Sequence, residues 1–452
     1  MAIKRLAQTL GTLDYFVVGF GAMIGVGWLV VMDDWLQRGG PIGAMLGFFL
    51  GASLLLPVGY VYSRLVIAIP DAGGEAAYAS RVFNRGVSFL SGWMMVLAYF
   101  VVCPWEGVAI GSVCSYIFPQ LTSFQLYRVA GQPVFLPQLV IGVALTAVLT
   151  WINYRGVRMS ATFQRVTTFG LLGLFAVFAG GGLLHGKSEN LSPGFSHAPW
   201  LSILLVLQIV PYFMTGFESV GKCAEESSPK FQSHSFYRAI MGSLVVGGVF
   251  YCLIIFVVGY AYPWQRLITH SFATAYALQQ VVAGQWIVDL VLVAALFALL
   301  KCFNANFLAT SRLIFAMGRR GMLDERLAAI DPDRKTPATA VVLTGVLTML
   351  GVFLGKAILI PITEVGGLAS ACGWFISCLV LYRIDQAFWP RAVAIAGAAV
   401  SLGLVSMKVL PMVPGHFSSW EWISLALWLA LGFAVKQKNR QEPVSETSSA
   451  GM

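Results

Sequence analysis

Gly21-Ala22-Met23-Ile24-Gly25-Val26-Gly27, followed by Trp28, interrupts the first long apolar run of the chain, Asp14 to Leu36. Roughly 20 apolar residues cross the hydrocarbon core of a bilayer, so the run is long enough to span. Glycines are out of place in a helix that only spans, because each costs about 1 kcal/mol relative to alanine. They predict a helix broken near the membrane midplane, with peptide N–H and C=O groups released from the ladder. Irregular backbone is tolerated at that depth only where it is buried in protein or lines a cavity. A second half-helix starting near Gly25 would aim free N–H groups and a positive dipole end into that cavity. The competing reading is a small-residue face that lets helices approach closely.

Composition sets the class. Hydrophobic residues are 58% of the chain, charged residues 11%, and the mean hydropathy is +0.78, whereas a soluble domain carries about 25% charged residues. Apolar runs of spanning length fall near 14–36, 41–68, 88–118, 136–153, 163–184, 201–221, 239–261, 286–312, 338–355, 363–382, 391–410 and 420–435. These predict an all-α polytopic membrane protein of twelve transmembrane helices with both termini on one side. Met1 to Leu10 lacks a small-residue cleavage pattern and runs straight into the first span, which predicts no removable signal. The tail 437–452 is polar, rich in Ser and Glu, and reads as disordered.

The net charge of +9 does not point to nucleic acid. With the N-terminus inside, only Arg38, Arg128, Lys187, Arg266, Lys356 and Lys408 fall outside, and Lys301 falls within a span. Every other Lys and Arg, among them Lys4, Arg5, Arg81, Arg85, Arg155, Arg158, Arg319, Arg320, Lys335 and Lys436, falls on the inner side. This is the positive-inside bias, so the basicity sets topology. All seven cysteines lie in spans or at their inner ends, with no CxxC and no disulfide pattern. The five histidines lie in loops, which leaves no pH-switching imidazole inside the membrane.

The sixth run repeats the anomaly of the first. Pro211-Tyr212-Phe213-Met214-Thr215-Gly216-Phe217-Glu218-Ser219 places a proline, a glycine and a carboxylate where leucines would serve a plain span, and Ala224-Glu225-Glu226 follows. Interruptions at corresponding positions of two halves point to a binding site at the interface of inverted repeats. Two matching breaks are much harder to explain as packing. The third run adds Cys103-Pro104-Trp105-Glu106, a proline kink beside a carboxylate.

With these features in place the chain resembles the amino acid–polyamine–organocation (APC) superfamily, in particular its bacterial amino acid permeases. The likeness runs through the first ten spans in order. It is carried by the Gly21–Gly27 run, by Pro70-Asp71-Ala72-Gly73-Gly74 with Tyr78, and by Asn153 to Gln164. Thr215-Gly216-Phe217-Glu218, Ala224-Glu225-Glu226, Ser311-Arg312 with Ala316-Met317, Gly321 and Thr336-Pro337 complete it. The resemblance implies five-plus-five inverted repeats, about 14–184 and 201–382, with helices one and six broken. Two peripheral helices, about 391–435, complete a permease domain of residues 1–436. It also implies alternating access and an amino acid or related amine as cargo. On that pattern Ile24, Gly25, Val26 and Gly27 hold the cargo carboxylate through the backbone, and Ala22 and Met23 belong to the same substrate-binding stretch. Tyr212, Met214, Thr215 and Gly216 line its amino and side-chain end, and Cys103 and Glu106 face the site from the third helix.

Two departures from the family matter. The fifth-helix lysine that replaces sodium in some proton-coupled relatives corresponds to Leu171 here. Lys301 appears instead on the eighth helix, where sodium-coupled relatives present a small hydroxyl. Lys301 lies about 11 residues, roughly 16 Å at 1.5 Å per residue, from Arg312, too deep for its chain to snorkel out. An unpaired charge at mid-membrane costs at least about 2.5 kcal/mol. Lys301 is therefore expected to work as a coupling cation, donating to carbonyls near Ala22 to Gly25, unless it sits in a static ion pair with Glu106 or Glu218. Glu106 is the second departure, a carboxylate where many relatives are apolar. Glu218 has two readings: coupling, or hydrogen bonding to loose backbone at the sixth-helix break. Asp33 and Asp34 are expected at the outer mouth, Glu364 and Asp289 at the interface.

The expected function is proton-coupled secondary transport of amino acids around a midplane site. The alternatives are an amine or polyamine carrier, or an amino acid exchanger of the same fold. No cofactor and no metal site is expected, and the partners are a small-molecule cargo, protons and the bilayer. The expected location is the cell's inner (plasma) membrane, multi-pass, with both termini cytoplasmic. An enzyme is disfavoured: the chain has no Gly-x-Ser-x-Gly, no His-Glu-x-x-His and no P-loop.

Overall fold

The computed structural model describes residues 6–270, 272–281 and 286–437. Lys4, Arg5 and the tail beyond Gln437 lie outside the described residues. Every apolar run named above is helical. Nine helical stretches are long and apolar enough to cross a bilayer, or ten with the bent pair Pro199–Leu207 and Val210–Glu226 taken as one, among the described residues. Ala338–Val352 and Ser419–Val435 are apolar but shorter.

The first helix breaks as its glycines require. It runs Thr12–Met23 and resumes as Gly27–Val30, so the restart falls at Gly27, two residues later than Gly25. Met32–Ala68 follows, kinked at Gly40, whose φ of 64° suits glycine, ahead of Pro41. The third helix is divided at Val101 into Arg85–Phe100 and Val102–Ile117. The sixth begins as Pro199–Leu207 and Val210–Met214, the whole stretch Val210–Glu226 being bent by 47° from the first piece. It then tightens into ten residues of 3-10 helix, Phe217–Glu226. A 3-10 run of that length inside a helix marks a hinge or strain. The eighth helix, Trp286–Arg319, is continuous and packs along the broken first helix.

The elements that escaped the sequence reading include a β-hairpin and two short helices. A β-hairpin, Gln125–Val129 with Gln132–Phe135, follows the third helix. Two short helices, Trp264–Leu267 and Ala273–Val281, sit between the seventh helix (Ser235–Ala261) and the eighth. Thr274 on the second of these donates to Trp28 O at 2.6 Å and so holds the outer half of the first helix.

The described ends of the chain meet at one end of the bundle. Thr9 and Leu10 donate to Glu226 O at 2.9 Å, and Gln437 donates to Met322 O at 3.2 Å, beside the Arg319, Arg320 and Asp71 cluster. At the opposite end Arg38 pairs with Asp34 at 2.8 Å and with Glu364 at 3.4 Å, and Lys408 pairs with Glu364. Glu364 is largely buried there between the two cations. The tertiary fold draws the tenth and eleventh helices (Leu359–Ile384 and Phe388–Val409) against Arg38.

Candidate functional site

A helix that stops in the bilayer leaves its last carbonyls without partners, and here each of the last four is captured by a side chain. Lys301 donates to Gly21 O at 3.4 Å and to Ile24 O at 2.5 Å. Asn306 and Cys302 donate to Ala22 O at 2.9 and 3.2 Å, and Tyr251 donates to Met23 O at 2.8 Å. Lys301, Cys302 and Asn306 lie within five residues of one another on the eighth helix, and Cys302 and Asn306, four apart, are neighbours on its surface. A cation at the negative end of a helix dipole is favourable, and the Lys301 ammonium also lies 4.8 Å from the Phe20 ring centre. No carboxylate pairs with Lys301 among the described residues, so the static ion pair with Glu106 or Glu218 is not formed.

Glu106 meets the other side of the break. Its Oε1 accepts the Val26 N–H at 3.4 Å, and its Oε2 is buried without a hydrogen-bond partner. A Cβ on Gly25 would come within 2.1 Å of Glu106 Oε1 and 3.0 Å of Cys302 Sγ. Gly25 is thus a close-approach glycine for a carboxylate and a thiol. Gly27 leaves room for the Phe213 ring in the same way.

The sixth-helix break closes onto the first. Gly216 has φ 135°, and a Cβ there would lie 2.6 Å from Ala22 Cβ and 2.7 Å from Met23 N. Just before it, the Thr215 hydroxyl lies 2.6 Å from Pro211 O and 2.5 Å from the Ser370 hydroxyl of the tenth helix. Tyr212 stands edge-on to Phe213, and its hydroxyl is buried without a hydrogen-bond partner. Met214 is fully buried. Glu218 Oε2 accepts the Gly216 N–H at 3.1 Å, which is the backbone-binding reading rather than a place beside Lys301.

Among the described residues Cys103 makes no hydrogen bond to this group. Its thiol is 3.7 Å from Tyr99 O, and it packs with Leu149, Ile152, Phe303, Phe307 and Val341 in a cluster of its own. The sequence reading overlooked Asn306, Cys302 and Tyr251. For the first two a signal existed, since they fall five residues and one residue beyond Lys301 on the same helix. The polar link Asn153 to Gln164 is drawn in as well. Asn304 joins Asn153, Ser160 and Gln164, and Gln164 Nε2 donates to Val17 O at 3.1 Å.

Two broken helices in contact, with their freed peptide groups held by buried side chains of intact neighbours, define a membrane transporter rather than an enzyme. The family profile described as amino acid permease matches residues 10–435, and the chain belongs to that family. It is 27% identical to the methylthioribose transporter of Bacillus subtilis (strain 168), over 96% of this chain and 93% of that protein. It is 23% identical to the branched-chain amino acid permease BcaP of the same organism, over the same shares. It is 21% identical to the aromatic amino acid transport protein AroP of Escherichia coli, over 78% of this chain and 75% of that one.

Proposed function

We propose that this chain is a proton-coupled amino acid permease of the cell's inner membrane. It would work by alternating access between five-plus-five repeats, with both termini cytoplasmic. The observation that carries the reading is the Lys301 bridge. A protonated ammonium ties the first half-helix to the eighth helix through Gly21 O and Ile24 O, the work a bound sodium ion would otherwise do. Loss of that proton removes the attraction and frees the helices to rock.

Glu106 gives the cargo a second handle. Its carboxylate rests on the Val26 N–H, one of the groups proposed for the cargo carboxylate. A cargo carboxylate arriving there displaces Glu106, and two carboxylates crowded together do not both stay ionised. A proton accompanies the cargo. Tyr212, Met214, Thr215 and Gly216 would then receive the amino group and side chain.

One observation favours a second reading. Because Glu106 already satisfies the Val26 N–H, the site also accommodates cargo without a carboxylate, whose ammonium or hydroxyls would donate to Glu106. The relative named as a methylthioribose transporter is in keeping with such a cargo. Uptake by proteoliposomes separates the readings, using a panel of amino acids, amines and methylthioribose, with sodium replaced by potassium and a proton gradient imposed. The proposal expects amino acid uptake that ignores sodium and follows the proton gradient. Strict sodium dependence would falsify it, and uptake confined to compounds lacking a carboxylate selects the second reading.

A further inference from the structure

Below the two breaks, toward the end of the bundle that carries Arg319 and Arg320, the chain buries an ion pair that the site does not use. Lys222 Nζ lies 2.5 Å from Glu75 Oε1, and both side chains have no exposed surface. Lys222 belongs to the 3-10 segment that follows Gly216, and Glu75 to the short helix Gly74–Ala79 after the second helix. Tyr62 of the second helix donates to the same Glu75 oxygen at 2.8 Å, and Ser377 of the tenth donates to the Tyr62 hydroxyl at 3.1 Å. The ammonium lies 5.6 and 5.0 Å from the ring centres of Tyr62 and Tyr99, and also donates to Glu218 O at 3.3 Å. Gly74 has φ 43°, and a Cβ there would come within 2.9 Å of Lys222 Cε. One lysine of the sixth helix thus gathers the second and third at a single point, with the tenth joined through Tyr62.

Such a pair is a poor choice for stability alone, because desolvating two charges offsets most of their attraction and apolar side chains would seal as well. It is a good choice for a contact that must open. When water enters between the partners both charges regain hydration, whereas a parted apolar seal only loses. Solvent is at hand, since the next layer outward, Asp71 with Arg320 at 2.8 Å and Arg319 with Glu225, is partly exposed.

We propose that Lys222 and Glu75 form the latch of the transport path at this end. Joined, they close the route between the paired breaks and the water beyond; parted, they open it to release or admit cargo. This rests on the transporter reading above, but not on which cargo is carried.

The test reads access without cargo. Ser219, with a buried hydroxyl that lacks a hydrogen-bond partner, lies in sequence between Gly216 and Lys222. Ser219→Cys is placed in a background whose seven native cysteines are replaced by serine or alanine. Its rate of reaction with a hydrophilic methanethiosulfonate is then measured in nanodiscs. Neutralising the pair with Lys222→Met and Glu75→Gln together is expected to raise that rate at least roughly tenfold, as a shift toward the open population requires. Neutralising Arg319 and Glu225 in the outer layer is expected to leave it unchanged. Tyr62→Phe, which removes only one hydroxyl from Glu75, should raise the rate several-fold and serves if the double variant does not purify as a single species. An unchanged rate in monodisperse protein of either variant overturns the latch. Because labelling needs no cargo, a failed uptake assay and a failed latch remain distinguishable.

Discussion

The ammonium of Lys301 lies 2.5 Å from the carbonyl oxygen of Ile24, the last residue before the first helix loses its register. A lysine on a continuous helix therefore holds the severed end of a broken one. The same ammonium reaches Gly21 O, one turn earlier, so the bridge grips the end of the half-helix rather than a single peptide. An ammonium with two carbonyl acceptors and an aromatic ring for company is held without an ion pair to any carboxylate among the described residues.

Lys301→Met is expected to abolish proton-driven uptake while keeping the side chain's length. It leaves Ile24 O without its donor, at a cost of about 1–3 kcal/mol for a buried unsatisfied acceptor. Proteoliposome uptake with and without an imposed proton gradient checks this. Proton-driven uptake retained in the variant would remove the lysine from coupling and pass that role to Glu106.

Glu106→Gln keeps an acceptor for the Val26 N–H and removes the charge. The expected result is a flattened pH profile of uptake or a shift in cargo preference toward compounds with a carboxylate. Unchanged pH profile and unchanged selectivity together would make Glu106 a structural side chain.

Gly25→Leu, and even Gly25→Ala, places carbon where Glu106 Oε1 and Cys302 Sγ now sit. Uptake is expected to fall by roughly tenfold or more in kcat/KM for alanine and to vanish for leucine, with normal amounts of protein in the membrane. Normal cargo binding by Gly25→Leu would place the site elsewhere. Gly216→Ala is expected to behave alike, because the first break lies against it.

Tyr251→Phe deletes only the hydroxyl that donates to Met23 O. The loss of one buried hydrogen bond is expected to cost about 1–3 kcal/mol, read as a lower thermal midpoint of the purified protein. Lys301 remains, so proton dependence should persist. Loss of proton dependence with no change in stability would mean that Tyr251 belongs to the coupling machinery.

The local sequence determined where the chain enters apolar surroundings and where its helices must break. Hydropathy needs only windows of about 20 residues, and the cost of a glycine or proline within a helix is a local one. The helical runs, and the fact that the first and sixth of them are interrupted, were therefore legible before any contact was known. What Lys301 holds was expected as a stretch, the carbonyls near Ala22 to Gly25, which contains Ile24 but not Gly21. Its actual partners, and the capture of Ala22 O and Met23 O by Asn306, Cys302 and Tyr251, were decided by which faces of the seventh and eighth helices turn toward the first. Cys103 lies three residues before Glu106, and yet it packs into its own cluster with Phe303 and Phe307. Lys222 and Glu75 are 147 residues apart, and nothing local in either stretch ties one to the other. Side-chain partners across the bundle depend on helix rotation and tilt, which packing sets, and so the tertiary structure alone settled them.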